Sequence, residues 1–440
     1  MNFKKKVAFF TLGCKVNQYE TESIKKSFIE RGYVEEKFEN SADIYIVNSC
    51  TVTSIADRKT RNMLRRAKKI NPKSTVVVTG CYAQTNSKDL EKIEEIDMII
   101  GNDKKNKIVE IIEDSNEEVI VGNIFNENKY LELNFSTYRE MTRAYIKIQD
   151  GCENFCSYCK IPFARGKNRS RKLENIIKEV KLLADSGYKE IILIGINLGA
   201  YGEDFEEKIK LEDVIEKVSR IDGIERIRLG SIYPDKISDR FIDILKNNKK
   251  LMNHLHISLQ SGDDKVLNLM KRKYNAKEAI DVLKKIKREI PEIAFSGDVI
   301  VGFPQEEEKN FENTYNFIKE IGFSDLHIFP YSDRENSLAT SFTGKISSLK
   351  KKERAKKLEE LREKMFLEFR EKYIGKEVDV LIEKIDNVKN IAEGYTKNYL
   401  KVEIEANNVN DSFKVNDIVK TKIKKIKKGM LIGGPKKEED

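Results

Sequence analysis

Residues 6 to about 115 alternate short β-branched runs with amphipathic stretches, a pattern that suits a parallel sheet with crossover helices. The runs Lys6–Phe10, Ile44–Asn48, Thr75–Thr79 and Met98–Ile100 read as strands, and Asn17–Arg31, Ala56–Ile70 and Asp89–Ile96 as helices. This is a small doubly wound α/β unit, assigned to residues 1–122. A second series begins at Ala144–Ile148 and recurs at Glu190–Ile194, Arg226–Leu229, His254–Leu259, Ala294–Val301 and Leu326–Phe329. Six strands with helical intervals fit a partial (β/α)6 barrel over residues 139–370, whose chemistry belongs at the carboxyl ends of its strands. The polar, weakly periodic stretch 123–138 reads as a linker. After the charged helix Leu349–Lys372, the runs Val378–Ile382, Gly394–Tyr395, Leu400–Ile404 and Ile418–Ile426 alternate with period two, as in a small antiparallel β-barrel over 371–435. Three units suit a 440-residue chain, longer than one hydrophobic core usually organises.

The longest apolar runs fall well short of the roughly 18 residues a spanning helix needs, and the lysine-rich start lacks a cleavage-site pattern. A cytoplasmic monomer without membrane contact is the expectation. Lysine and arginine exceed acidic residues by 82 − 73 = 9, which favours a polyanionic partner without requiring one.

Six cysteines in a chain expected in a reducing compartment point to metal ligation or redox work rather than disulfides. Cys152, Cys156 and Cys159 form a C-x3-C-x2-C triplet just after the first barrel strand. Three such thiolates can hold three irons of a [4Fe-4S] cluster and leave the fourth without a protein ligand, open to a substrate or cofactor. A structural zinc site is the alternative, but it normally wants four ligands, and the three histidines, His254, His256 and His327, lie far along the chain. Cys14, Cys50 and Cys81 are far apart in sequence, yet each follows a strand of the first sheet. Carboxyl ends of neighbouring parallel strands are where open α/β folds bind ligands. Their placement is compatible with a second cluster or with three independent buried cysteines.

The triplet, with Tyr158 before its third cysteine, resembles the signature of radical S-adenosylmethionine enzymes. Thr11-Leu12-Gly13-Cys14-Lys15-Val16-Asn17-Gln18-Tyr19-Glu20, Val47-Asn48-Ser49-Cys50-Thr51-Val52-Thr53 with Ala56-Asp57-Arg58-Lys59, and Gly80-Cys81-Tyr82-Ala83-Gln84 resemble the methylthiotransferase family. Within it they are similar to the MtaB-type branch acting on N6-threonylcarbamoyladenosine beside the tRNA anticodon. The branch acting on isopentenyladenosine typically carries Gln-Met in place of Lys15-Val16.

The resemblance covers nearly the whole chain and implies two [4Fe-4S] clusters, on Cys14, Cys50 and Cys81 and on Cys152, Cys156 and Cys159, with all six cysteines catalytic. It implies two S-adenosylmethionine molecules, one donating a methyl group to a sulfur at the first cluster and one cleaved at the second to a radical that takes hydrogen from carbon 2 of adenine. An aromatic C–H offers no pKa handle, so radical chemistry beside a held sulfur donor fits the reaction. The resemblance also implies a C-terminal TRAM domain, the anticodon stem-loop as partner, and an electron donor such as flavodoxin or ferredoxin.

Candidate S-adenosylmethionine contacts, by position and by resemblance, are Tyr158, Gly195 and Asn197 in a glycine-containing loop after the second barrel strand, Ser231, Gln260, Asp298 and Gly302. His254 and His256 read as structural. Candidate RNA contacts are Arg165, Arg169 and Arg171 after the triplet, and Lys422, Lys424 and Lys425 on the last barrel strands, with Tyr395 and Tyr399 as stacking platforms. The helix after Cys50 is also basic, from Arg58 to Lys69.

One segment departs from the family pattern: Asp333-Arg334-Glu335-Asn336-Ser337-Leu338-Ala339 stands where a Pro-Gly-Thr-Pro-like turn is common, while the cysteine motifs that set the reaction class are untouched. Within the same chemistry the alternatives are isopentenyladenosine or a ribosomal-protein aspartate as substrate. In another class the alternative is a non-enzymatic RNA-binding protein stabilised by metal.

Overall fold

A computed structural model describes residues 4–133, 142–405 and 413–434. The first unit is a six-stranded parallel sheet in the spatial order Val34–Glu36, Lys6–Thr11, Ile44–Ser49, Thr75–Gly80, Met98–Ile100, Val119–Ile120. Its central strands are buried on both faces, which is why Val76, Val77 and Val78 run unbroken rather than alternating. Separate apolar clusters cover the two faces, one around Tyr45, Leu64 and Val78, the other around Phe28, Ile46 and Ile100. The strands preceding Cys14 and Cys50 flank the point where strand order reverses, and the strand preceding Cys81 lies next to them.

Two edge strands, Val34–Glu36 and Val119–Ile120, add to the expected four; each is too short to carry a period. The helix expected over Asp89–Ile96 ends at Leu90, and turns bonded from Ile93 to Leu90 and from Ile96 to Ile93 replace it. Of the linker expected over 123–138, residues 134–138 lie outside the described residues.

Six parallel strands of the second unit follow in chain order: Arg143–Lys147, Glu190–Ile194, Arg226–Leu229, His254–Gln260, Ala294–Val301 and Asp325–Pro330. The ladder is handed on at Gly230, after which Ser231–Ile232 pairs with the fourth strand, so the curved array is a partial barrel in two sheets. Its helices pack outside around the largest apolar cluster, which includes Ile146, Ile192, Val214, Leu255 and Phe323.

Helix Ser348–Glu371 leads to a closed barrel of Glu377–Asp386, Ile391–Thr396, Lys401–Glu405, Ile418–Lys427 and Met430–Gly434. Ile418–Lys427 pairs back onto Glu377–Asp386, and the third and fifth strands pair in parallel; the other pairs are antiparallel. The fifth strand adds to the expected four, its two glycines and short length hiding the alternation. Among the described residues no helix is long and apolar enough to cross a membrane.

Candidate active site

The first cysteine trio is assembled by side chains that stitch neighbouring strand ends together. Asn17 Nδ2 donates to the carbonyls of Leu12 and Ser49 at 2.7 and 3.0 Å. Asn48 Nδ2 donates to Asn17 O, and Ser49 Oγ, which donates to Thr79 O, accepts from the Ala83 amide. These bonds bind the loops of Cys14, Cys50 and Cys81 to one another. Gly13 has φ +102°, and a Cβ there would lie 2.8 Å from Cys50 Cβ and 2.9 Å from its Sγ, so only glycine lets the Cys50 side chain approach this closely. Cys50 Sγ accepts from the Val52 amide at 3.5 Å, and Cys81 Sγ from Arg165 Nε at 3.4 Å. Burial, with Cys81 and Cys14 nearby, pushes the Cys50 thiol up to about 12.

The second trio sits on a loop that two left-handed residues fold tightly. Gly151 has φ +76°, with the Lys167 carbonyl where a Cβ would stand, and Phe155 has φ +46°. The Cys159 amide donates to Cys156 O at 2.9 Å. Cys159 Sγ accepts from the Ile161 amide at 3.4 Å, and Cys156 Sγ from Arg272 Nη1 at 3.6 Å. Burial and the Cys156 and Cys152 sulfurs push the Cys159 thiol up to about 12. Burial favours the protonated form of Cys50 and Cys159; a cationic centre inverts that preference and turns mutual repulsion into ligation. Among the described residues, His256, Asp298 and His327 form the one set of three whose ligand atoms all lie within 4.8 Å of one another. Neither cysteine trio is that tight, which suits a polynuclear cluster rather than one ion. The donor sets therefore fit [4Fe-4S] clusters, and each trio has a buried arginine with an N–H on one sulfur.

Sequence reasoning missed Arg272, which is buried against the rings of Tyr233 and Tyr274 at 4.3 and 5.1 Å. It lies over a hundred residues from the triplet, so no local spacing announces it. The 333–339 loop, atypical in sequence, has a definite task. Arg334 Nη2 donates to Thr51 Oγ1 at 3.0 Å and Asp57 Oδ2 at 2.6 Å, while the Ala339 amide donates to Ser157 O at 2.7 Å. This segment thus ties the loop of Cys50 to the loop of Cys156 and Cys159.

Arg165, Arg169 and Arg171 are not at the surface, contrary to the expected RNA contact. They are 1%, 3% and 0% exposed. Arg165 pairs with Glu20 and Asp150, carboxylates that also take Lys147, and Lys105 Nζ reaches Glu20 at 2.5 Å. Arg169 Nη2 donates to Arg165 O, and Arg171 pairs with Glu179 and Glu132. The correction has a simple cause: buried carboxylates at the junction of the first two units demand these cations. Tyr395 and Tyr399 are likewise engaged, stacked on each other at 5.0 Å, with Arg143 and Arg228 against their faces. Lys422, Lys424 and Lys425 are exposed; a register shift between Ile423 and Lys425 turns two successive lysines outward. Arg58, Lys59, Arg65, Arg66 and Lys69 are exposed on helix Ser54–Ile70.

A cavity of about 750 Å³ opens between the three units. Cys14 and Cys50 line one wall, the barrel strands the next, and Tyr399 with Leu400 of the C-terminal barrel a third. Of the cofactor candidates, Gly195, Ser231 and Asp298 line it. Tyr158, Asn197, Gln260 and Gly302 do not. Tyr158 packs on Phe303. Asn197 is buried, its backbone amide donating to Gln149 Oε1 at 2.7 Å and its Oδ1 without a hydrogen-bond partner among the described residues. Gln260 holds φ +66° at a strand end, and the Gly302 amide donates to Glu306 at 2.6 Å.

The histidines read as structural also line this cavity. His254 Nε2 and His256 Nδ1 both meet Ser296 Oγ, and Asp298 Oδ1 accepts from His256 Nε2 and His327 Nδ1, each at 3.1 Å. These contacts hold the Asp298 carboxyl well below the usual range, whereas burial, Arg228, His256 and Lys15 keep His254 neutral.

A parallel α/β unit carrying three convergent cysteines, set against a six-stranded partial barrel with a C-x3-C-x2-C loop, defines an iron–sulfur enzyme of the radical S-adenosylmethionine class. Residues 146–318 match the radical SAM superfamily model, and residues 6–101 the model described as uncharacterized protein family UPF0004. Threonylcarbamoyladenosine tRNA methylthiotransferase MtaB of Bacillus subtilis is 43% identical over 90% of this chain and 89% of its own length. The tRNA-2-methylthio-N(6)-dimethylallyladenosine synthase of Thermodesulfovibrio yellowstonii is 35% identical over 96% of this chain and 97% of its own length. The solved radical S-adenosylmethionine methyltransferase TsrM of Kitasatospora setae shares the fold, with a TM-score of 0.57 at 13% identity over 77% of this chain and 75% of that one.

The chain belongs to the radical S-adenosylmethionine tRNA methylthiotransferase family. Its cofactors are [4Fe-4S] clusters and S-adenosylmethionine.

Proposed function

We propose that this protein installs a methylthio group on carbon 2 of N6-threonylcarbamoyladenosine next to the tRNA anticodon. The observation that carries the reading is the cavity itself: the thiols of Cys14 and Cys50 and the interior of the barrel face one space, large enough for a modified base. Cys14, Cys50 and Cys81 would hold the auxiliary cluster, and Cys152, Cys156 and Cys159 the radical one. When bound, the clusters and S-adenosylmethionine supply an electron, a carbon radical and the methylated sulfur, chemistry no side chain of this protein can perform.

The chain's own residues position and shield. Asn17, Asn48 and Ser49 fix the first trio, and Arg165 and Arg272 each place a cation against one sulfur. Arg334 and Ala339 fasten the two cysteine loops together, which fixes the two trios relative to each other. Gly195, Ser231 and Asp298 are the candidate S-adenosylmethionine contacts that the cavity supports.

The C-terminal barrel, read as a TRAM domain, and the basic helix Ser54–Ile70 would bind the anticodon stem-loop through Lys422, Lys424 and Lys425 and through Arg58 and Arg65. A flavodoxin or ferredoxin would supply electrons. The test is mass spectrometry of tRNA nucleosides from cells lacking the protein. Loss of the 2-methylthio form of threonylcarbamoyladenosine, with the unmethylthiolated nucleoside accumulating, is expected. Loss of the dimethylallyladenosine product instead would replace this substrate with the one named for the Thermodesulfovibrio relative.

A further inference from the structure

The cavity beside Cys14 and Cys50 is unevenly charged, and one cation in it is unlike the rest. Lys15 follows Cys14 directly and opens helix Lys15–Glu30, with its side chain on the cavity wall. Among the described residues its ammonium makes no ion pair and no hydrogen bond. The other cations there are committed. Arg228 donates to Glu190 Oε1 at 2.8 Å and to the carbonyls of Lys397 and Thr396. Arg370 donates to the carbonyls of Ser324 and Phe366. Nearby Arg143 is held by Glu383 and Tyr399. The acids are spoken for as well: Asp298 accepts from two histidines, and Asp325 pairs with Arg362.

Lys15 is exposed to the open space of the cavity, where the like charges of Arg143 and Arg228 crowd it. A cation in such a place is relieved most by an anion that enters with the ligand. Resting on the substrate reading above, we infer that Lys15 forms a carboxylate subsite that takes the threonyl carboxylate of the N6 substituent. The chemistry of the base agrees. Carbons 2 and 6 of adenine both flank N1, so a base that turns carbon 2 toward the Cys14 and Cys50 wall carries its N6 substituent along the same edge. Lys15 is the cation adjoining that wall. An uncharged hydrocarbon substituent would leave this ammonium unpaired, so Lys15 also acts as a specificity determinant against such substrates.

The test uses anaerobically reconstituted full-length protein and two anticodon stem-loop RNAs, one carrying threonylcarbamoyladenosine and one its isosteric carboxamide. The wild-type protein is expected to prefer the free acid by roughly 10- to 100-fold in kcat/KM, the range of a charge-assisted hydrogen bond. Lys15→Gln should bring that ratio close to one, and Lys15→Arg should restore most of it. Because both RNAs are read on one preparation, cluster occupancy cancels from the ratio. A wild-type protein that methylthiolates acid and carboxamide equally, or a Lys15→Gln protein that keeps the preference, overturns the subsite while leaving the substrate reading intact. A wild-type protein that acts on neither RNA overturns both. Should Lys15→Gln fail to fold, the wild-type comparison still decides.

Discussion

Arg165 and Cys81 meet across the junction of the first two units, Nε donating to Sγ at 3.4 Å, while the same guanidinium pairs with Glu20. One side chain thus links the auxiliary cysteines to the segment that follows the radical triplet, and it does so inside a buried group where Glu20 and Asp150 also meet Lys105, Lys147 and Arg169. Arg165→Ala removes the buried charge-assisted hydrogen bonds to Glu20, Asp150 and Asn17 and leaves a void, and should destabilise this junction by about 3–5 kcal/mol. Calorimetry of the apoprotein reads it as a lower first transition. An unchanged thermogram would mean that the network carries no net structural weight.

Gly13→Ala is expected to disable the auxiliary site selectively. The new methyl would collide with Cys50, and the left-handed φ of +102° strains any L-residue. Iron per chain should fall from about eight to about four, because each [4Fe-4S] cluster contributes four. Full iron loading in the variant would contradict this packing argument.

The two trios should separate functionally. Cys156→Ala is expected to abolish 5'-deoxyadenosine formation, and Cys50→Ala to remove methylthiolation while some cofactor cleavage survives. Chromatography of deoxyadenosine and of the RNA nucleosides measures both. Normal product from Cys50→Ala would reverse the assigned roles.

His254 gives a pH dependence with a definite sign. Its folded pKa lies well below the ordinary histidine value of 6.5, because burial and Arg228 oppose its charging. Its contribution is therefore fully present above about pH 6.5 and is lost as pH falls, by at most about 1.4 kcal/mol per pH unit. His327 works in the opposite sense, since Asp298 raises its pKa, so the two must be separated by mutation. Melting temperatures at about pH 7.5 and about pH 5.5 should differ less in His254→Asn than in the wild type. Equal differences would show that His254 does not titrate on unfolding.

Lys422, Lys424 and Lys425 stand free of ion pairs on the outside of the C-terminal barrel among the described residues. Replacing all three with alanine should weaken anticodon stem-loop binding and flatten its dependence on log salt by roughly 0.7 for each phosphate no longer neutralised. Titrations at several salt concentrations would detect this; an unchanged slope would move the RNA to another face, with the basic helix Ser54–Ile70 the first to test.

Local patterns in the sequence determined a great deal. Period-two and unbroken apolar runs place most strands within a residue or two, because side-chain direction alternates along any strand and burial on both faces removes the alternation. The C-x3-C-x2-C loop is legible because its three ligands lie in one short segment. Convergence of Cys14, Cys50 and Cys81 could be suspected from their strand ends, but only the sheet order, with those strands adjacent, makes them neighbours. Tertiary structure alone decided the role of the arginines after the triplet. A basic run looks like a nucleic-acid face until Glu20, Asp150 and Glu179 arrive from distant segments to bury it. The same holds for Arg272 and Arg334. The chemistry of a charged side chain is set by which opposite charges fold against it, and separation along the chain carries no information about that.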